Sequence, residues 1–555
     1  MSSEQQPGQK AIEALRNWQP SVRGGTPATA ETATEVTTTG HHVVCALVAC
    51  LSSCAAGTTL GYASAAMPSI EHESWYDLHN NAQESRWFAD LLLLVAAPGA
   101  LAAGFLLEMV GNRRMLLVSA FGLLGSWLSL LFSTSTRAMF VARLMAGVFL
   151  GAISSSAGVH VAEICPSERR AFFLGFVEVS RSMGMLVAYV LGHYFTWEVH
   201  AGLCMLPPLV LMCLQRYVLD SPQWLLRHGK RTEALAVLSR LYGLDIPTEF
   251  RIRSAEEIAK TKPSPTSIKC AKCMALALLL QLLPELSGAQ LLLLRGDQVM
   301  LSLMAETEPW DAVGVLLVAG HVALSGAFTS LTRVAGRRHL LLLSAVITAI
   351  CMVALSPLQH LVFRFSPLFS SLPRKDVCTV PGTHRECPTN HLLYKRDNIL
   401  VTLHNVITRL SLCLYARSTH NNGSHWTVED RPRLTNWNGI YAVGLLLASH
   451  SLGLGHVPAL LVPELLPGRV RCVGAASSWA GRWLLAFLLA HEDAWLSEVA
   501  SSSHGLVPGL VLVFGAIMAA FVTPETEGRT LLAIEAARDD DWLNHCRTFL
   551  LTVDR

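Results

Sequence analysis

The sequence predicts an all-α membrane protein of about twelve transmembrane helices in two six-helix bundles. Three observations carry this prediction: an apolar composition, a succession of apolar stretches long enough to cross a bilayer, and loop motifs that recur in the same order in both halves. Of 555 residues, 51% are hydrophobic and only 15% charged, with a mean hydropathy of +0.39, whereas soluble domains carry about 25% charged residues. That composition excludes a soluble enzyme and a disordered scaffold. The formal net charge of +2 leaves no global field to attract nucleic acid.

Residues 1–42 are polar and lack an apolar core with a cleavage site, so they are expected to form a cytosolic amino-terminal tail. Spans follow at 43–69, 87–107, 115–133, 139–161, 172–194 and 201–218, which makes 43–218 the first six-helix bundle. Residues 219–268 form a basic linker with a short amphipathic helix around Thr232 to Leu241. The second bundle opens in 269–357 with spans at 270–293, 312–331 and 339–357, the first of them interrupted by Pro284 and Glu285. It resumes in 437–523 with spans at 437–461, 473–490 and 505–523, and residues 524–555 form a second tail. Six of the cysteines, Cys45, Cys50, Cys54, Cys204, Cys213 and Cys351, lie in apolar runs, where cysteine acts as a small hydrophobe.

Orientation follows from the basic loop residues. Arg113, Arg114, Arg169, Arg170, Arg333, Arg337, Arg338, Arg469 and Arg471 fall on one side, which the positive-inside rule makes cytosolic together with both termini. The opposite loops carry Glu71, Glu73, Asp77, Glu306, Glu308, Asp311, Glu492, Asp493 and Glu498. By the same parity the long loop 358–436 is extracellular. There the sequon at Asn422 is open to glycosylation and the pair Cys378 and Cys387 is open to oxidation. Leu392, Leu400, Leu403, Ile407 and Leu410 predict a surface helix within it.

The halves repeat one another. Glu108-Met-Val-Gly111-Asn-Arg113-Arg114 after span two is matched by Arg333-Val-Ala-Gly336-Arg337-Arg338 after span eight. Glu163 and Arg170 after span four recur at the same separation as Glu464 and Arg471 after span ten, and Asp220-Ser221 after span six recurs as Glu525-Thr526 after span twelve. Repeated halves around a midplane site are how many secondary transporters are built.

These residues resemble the sugar porters of the major facilitator superfamily, and among them the arthropod facilitated trehalose transporters. The resemblance rests on Gly61-Tyr62 through Pro68-Ser69, Arg143 through Gly147 and Gly151, Ser221-Pro222-Gln-Trp224, Gly453-Leu-Gly455, Glu464 with Pro467, and Pro524-Glu525-Thr526-Glu-Gly528. It implies the major facilitator fold. It also implies an inner latch of charged side chains, with Glu108, Arg113, Arg143, Glu163, Arg170, Arg337, Glu464 and Arg471 as gating or salt-bridge candidates. The sequence itself pairs Glu108 with Arg113, Glu163 with Arg170 and Glu464 with Arg471, and glutamates at matched positions in both halves favour a gating role, although the arginines also serve simply to fix topology.

The resemblance further places hydroxyl-binding amides on spans five and seven. Alignment on Gly184 puts Glu178 at the span-five position with Arg181 one turn on, and alignment on Ser287-Gly288 gives Gln281, Glu285 and Gln290 on span seven. On span eleven the expected pair is Ser478-Trp479. Two positions have thus become acids, and an intramembrane acid must be paired, protonated or wet. A salt bridge between Glu178 and Arg181 and a substrate role stand as equal readings. Span one has no carboxylate before Glu71, which favours facilitated diffusion over proton coupling.

The expected function is facilitative transport of a small polar solute, a hexose or trehalose, by alternating access in the plasma membrane. The alternatives are an organic-ion carrier of the same superfamily and a non-transporting sensor derived from it. No nucleotide-binding loop, metal cluster or nucleophile constellation stands out, and Cys270 and Cys273 lack further ligands, so neither enzyme chemistry nor a cofactor is expected. The implied partners are the solute and the lipid bilayer. Oligomeric state is left open.

Overall fold

The computed structural model describes residues 40–72, 82–242, 268–295, 310–332, 336–352, 437–468, 470–491, 506–523, 526 and 531. Asn422, Cys378, Cys387, the long loop and both predicted tails up to Thr39 and from Leu532 lie outside them. The regular structure of the described residues is helical throughout.

The first bundle comprises α1 (His41–His72), α2 (Ala82–Val110), α3 (Asn112–Leu131), α4 (Thr136–Ile164) and α5 (Ser167–Tyr194), followed by α6 (Trp197–Leu203) and α7 (Leu206–Leu214). The linker carries α8 (Pro222–Arg227) and α9 (Arg231–Tyr242). The second bundle comprises α10 (Ile268–Leu286), α11 (Ala289–Leu294), α12 (Trp310–Leu331), α13 (337–352), α14 (Trp437–Leu452), α15 (Val457–Leu465), α16 (Arg471–His491) and α17 (Leu506–Val522). Nine helical stretches among the described residues are long and apolar enough to cross a membrane. The chain is a multi-pass membrane protein.

Local chemistry sets the helix ends. Ser135 caps α4 by accepting from the Ala138 N–H at 3.4 Å, and Ser221 caps α8 by accepting from the Trp224 N–H at 3.2 Å, with Pro222 at the first helical position. Three predicted spans are not single helices. The sixth starts earlier, at Trp197, and is divided at Cys204-Met205, just before Pro207 and Pro208 start α7. The seventh divides at Ser287-Gly288 rather than at Pro284. Ser287 Oγ donates to the Pro284 carbonyl at 2.6 Å, and Gly288 takes φ +70°, a conformation that favours glycine. The tenth divides at Gly453-Leu454-Gly455, where Gly453 lies against the Leu340 carbonyl of α13.

Within the first bundle α4 lies on α2 and α5 on α1. A Cβ on Gly147 would stand 2.8 Å from the Leu92 carbonyl, and one on Gly151 would meet Ala96 and Ala100, so these glycines let the α2 and α4 backbones touch. Large apolar side chains such as Phe105, Met109, Leu316, Ile350 and Phe514 point outward and are exposed, as lipid contact requires. The bundles meet along two seams, α2 against α16 and α5 against α12. Spans two and eleven thus pair as spans eight and five do, the relation a six-plus-six duplication demands.

Candidate functional site

Four buried charges and a tryptophan occupy the seam at mid-depth. On α5, Arg181 donates to Glu178 one turn before it, and both are 6% exposed. On α16, Arg482 donates through Nε to Glu285 Oε1 of α10 at 2.7 Å and through Nη1 to Gln281 Oε1 at 3.2 Å. Trp479 lies between them, with the Arg181 guanidinium 5.1 Å and the Arg482 guanidinium 4.9 Å from its ring. The cluster carries two positive and two negative charges, so it stays neutral in a medium where an unpaired charge is expensive.

Sequence reasoning named Glu178, Gln281, Glu285 and Trp479, and the structure brings them together. It missed Arg482. The available signal was that an acid at Glu285 needs a cation, and span eleven holds an arginine three residues beyond Trp479. Gln281 Nε2 is buried and has no hydrogen-bond partner among the described residues, so the site keeps a donor in reserve. Gln290 on α11 sits across the seam from Met185, its Nε2 3.9 Å from the sulfur. Ser478 Oγ is spent on the Ala475 carbonyl at 2.8 Å, which leaves its acceptor lone pairs as its remaining polar capacity.

A cavity of about 20 Å³ adjoins this cluster, its walls including Glu178, Arg181 and Trp479 with Ser53, Gly158 and Pro463. Gln281, Glu285 and Gln290 are not among its lining residues. Its volume holds about one water. A solute of sugar size enters this cavity only if its walls part. Beside the cluster, His321 of α12 bridges the seam, its Nδ1 2.7 Å from Ser451 Oγ and its Nε2 3.4 Å from Ser182 Oγ of α5.

At the end of the bundles that carries these loop arginines, the candidates assemble with different partners from those their order in sequence implied. Arg471 Nη1 lies 3.4 Å from Glu163 Oε1 and donates to Gln223 Oε1 at 2.6 Å, so it joins the second bundle to the first and to the linker. Glu163 also accepts from Asn112 Nδ2 at 3.0 Å, while Glu464 pairs with Arg337, which donates to Thr526 as well. Arg113 pairs with Asp220 at 3.4 Å. Arg170 reaches the Cys165 carbonyl at 3.5 Å as Arg471 reaches Leu466 at 3.2 Å, so the repeat is visible in the contacts themselves.

The linker supplies a member the sequence did not single out. Arg227 of α8 lies 3.6 Å from both Glu108 and Glu163 and donates to the Gly468 carbonyl. Burial opposes its charge, yet the nearby Glu163 and Glu108 carboxylates hold its pKa above the ordinary arginine value. Arg143 stands apart from this latch. It is buried two turns from the other end of α4, where it donates to the carbonyls of Phe88 and Thr59, each at 3.2 Å, and makes no ion pair among the described residues. Carbonyl oxygens and the Phe88 ring 5.0 Å away take the place of a carboxylate.

Two bundles closing on a buried polar seam, with a charged latch at one end, define a membrane solute carrier of the major facilitator fold. The chain belongs to the family described as Sugar (and other) transporter, whose pattern it matches over residues 45–366 and 424–537. It is 24% identical over 494 residues to the facilitated glucose transporter member 8 of solute carrier family 2 from Bos taurus, covering 88% of this chain and 93% of that one. It is 22% identical over 506 residues to the facilitated trehalose transporter Tret1 of Polypedilum vanderplanki, covering 89% and 87%. The proton:xylose symporter XylE bound to 6-bromo-6-deoxy-D-glucose superposes with a TM-score of 0.65 at 16% identity, covering 89% of this chain and 99% of that chain. The inward-open form of XylE from E. coli gives 0.56. Members of this family move solutes rather than transform them.

Proposed function

We propose that the protein carries a neutral sugar, a hexose or trehalose, down its gradient by alternating access, binding it between Gln281, Gln290, Trp479 and the charge pairs Glu178–Arg181 and Glu285–Arg482. The observation that carries this reading is the Gln281 Nε2 donor, unpaired among the described residues, beside a charge-balanced cluster on the bundle seam. A polyol both donates and accepts, so it matches a site that offers guanidinium and amide donors beside carboxylate acceptors. A net ionic solute would leave the balanced cluster with an uncompensated charge at mid-depth. The relatives' names support a sugar.

Glu163, Arg471, Arg227 and Gln223 act as the cytosolic latch in this reading, and they part when the site opens inward. The membrane is the plasma membrane, with both termini cytosolic and the Asn422 loop outside. A tag placed after Asn422 is then reachable on intact cells while tags at either end are not, and the converse labelling refutes the orientation. Uptake of labelled glucose, trehalose and organic cations into vesicles tests the solute: sugar uptake alone supports the proposal, cation uptake alone overturns it, and no uptake favours a sensor.

A further inference from the structure

At the end of the seam remote from the latch, a second charged cluster joins the bundles. Asp90 of α2 is 2% exposed. Arg295, the residue that follows α11, donates from Nη2 to both Asp90 carboxylate oxygens at 3.3 Å and to the Ala490 carbonyl. His491, the last residue of α16, places Nδ1 3.4 Å from Asp90 Oδ2. Aromatic packing surrounds the group: the Trp87 ring of α2 is 4.4 Å from the His491 ring, which stacks on Phe487 at 5.2 Å.

The distribution of partners matters more than their number. Both side chains paired with the Asp90 carboxylate belong to the second bundle. An acid at this depth in a membrane protein must be paired or wet. Its pairing exists only while the outer ends of α2 and α16 stay together, so separating the bundles strips the carboxylate of its partners until water replaces them. Pairs within one bundle, such as Glu178–Arg181, impose no such condition. The Asp90 cluster therefore biases one conformation against another, which is what a gate requires.

We infer that Asp90, Arg295 and His491 form an outer lock that holds the extracellular side closed and so positions the second face of the transport cycle, opposite the Glu163–Arg471 latch. Arg295 directly follows α11, the short helix that carries Gln290, so the lock and the proposed sugar site share one element. The inference rests on the carrier reading, but its test reads conformation and needs no solute.

The test introduces a cysteine at Ala97, seven residues along α2 from Asp90 and seven before Gly104, which faces Ala476 of α16. Ala97 is 7% exposed in the closed form. The full chain is reconstituted in vesicles, and a membrane-impermeant thiol reagent is applied from outside, with the protein lacking the new cysteine as background. Asp90→Asn or Arg295→Gln is expected to raise the labelling rate by about 5- to 150-fold, the usual range of coupling between sites. The exchanged pair Asp90→Arg with Arg295→Asp is expected to bring the rate back toward that of the parent.

Labelling of both single variants at the parental rate overturns the lock. So does an exchanged pair that labels as fast as the single variants, because two opposite charges that hold the seam shut keep their attraction when they change places. Should Asp90→Asn fail to accumulate, Arg295→Gln and His491→Phe carry the same test at side chains that are 13% and 26% exposed.

Discussion

Glu178→Gln is the most informative single change at the centre. Judged from resemblance alone it restores a family amide, and transport of a neutral sugar is expected to survive it. The structure reverses that expectation, because Glu178 is the carboxylate that compensates Arg181, and both are nearly excluded from solvent. Removing one partner of a buried ion pair costs about 3–5 kcal/mol, since the other charge is left stranded. That corresponds to a factor of roughly two to four orders of magnitude in the equilibrium between intact and disrupted forms. Replacing both charges by side chains of similar volume is close to neutral, so Glu178→Gln with Arg181→Met is expected to recover most of the loss. The assay is thermal unfolding of the purified protein in detergent, read as the fraction remaining monodisperse after heating, alongside uptake of labelled glucose. A single variant as stable and active as the parent, with the double variant no better, refutes the argument that this pair must balance.

Gln281→Leu removes the orphan donor, and leaving a solute hydroxyl unpaired costs about 1–3 kcal/mol, so binding of the transported sugar is expected to weaken about tenfold to a hundredfold in a competition assay at matched expression. Glu163→Gln removes the carboxylate that Arg471 and Arg227 share across the bundles, and thiol probes applied from the cytosolic side are expected to reach the inner cavity faster; equal rates leave Arg471 only its topological role. Gly147→Val forces a side chain against the Leu92 carbonyl, and overpacking of this kind is expected to lower stability by about 1–3 kcal/mol in the same heating assay, whereas a change at Gly320, which has open space around it, is not.

The spans were legible because a bilayer demands long apolar stretches. The duplication was legible too, and its marks reappear as contacts: Asn112 bonds Glu163 as Arg337 bonds Glu464. The Glu178–Arg181 pair, one turn apart on one helix, was legible, but partnership between helices was not. Glu464 stands seven residues before Arg471 in sequence, yet it pairs with Arg337 while Arg471 crosses to Glu163. Hydrophobic patterning identifies membrane depth but not which helix lies opposite. The same gap hid Arg482 and the Asp90 cluster, whose members come from spans two, seven and eleven. Breaks in helices were also misplaced. Pro284 looked like the interruption of span seven, but a serine hydroxyl caps its carbonyl and the chain turns at Gly288 instead.

Exchange across a sealed membrane tests the carrier itself. With the purified protein in liposomes, labelled glucose or trehalose outside is expected to rise to the external concentration and no higher. Unlabelled sugar of the same kind loaded inside is expected to accelerate its initial entry, because a loaded site returns faster than an empty one when two bundles alternate about it. Entry of neither sugar above protein-free liposomes, or entry that internal sugar leaves unchanged, contradicts alternating-access sugar transport by this protein.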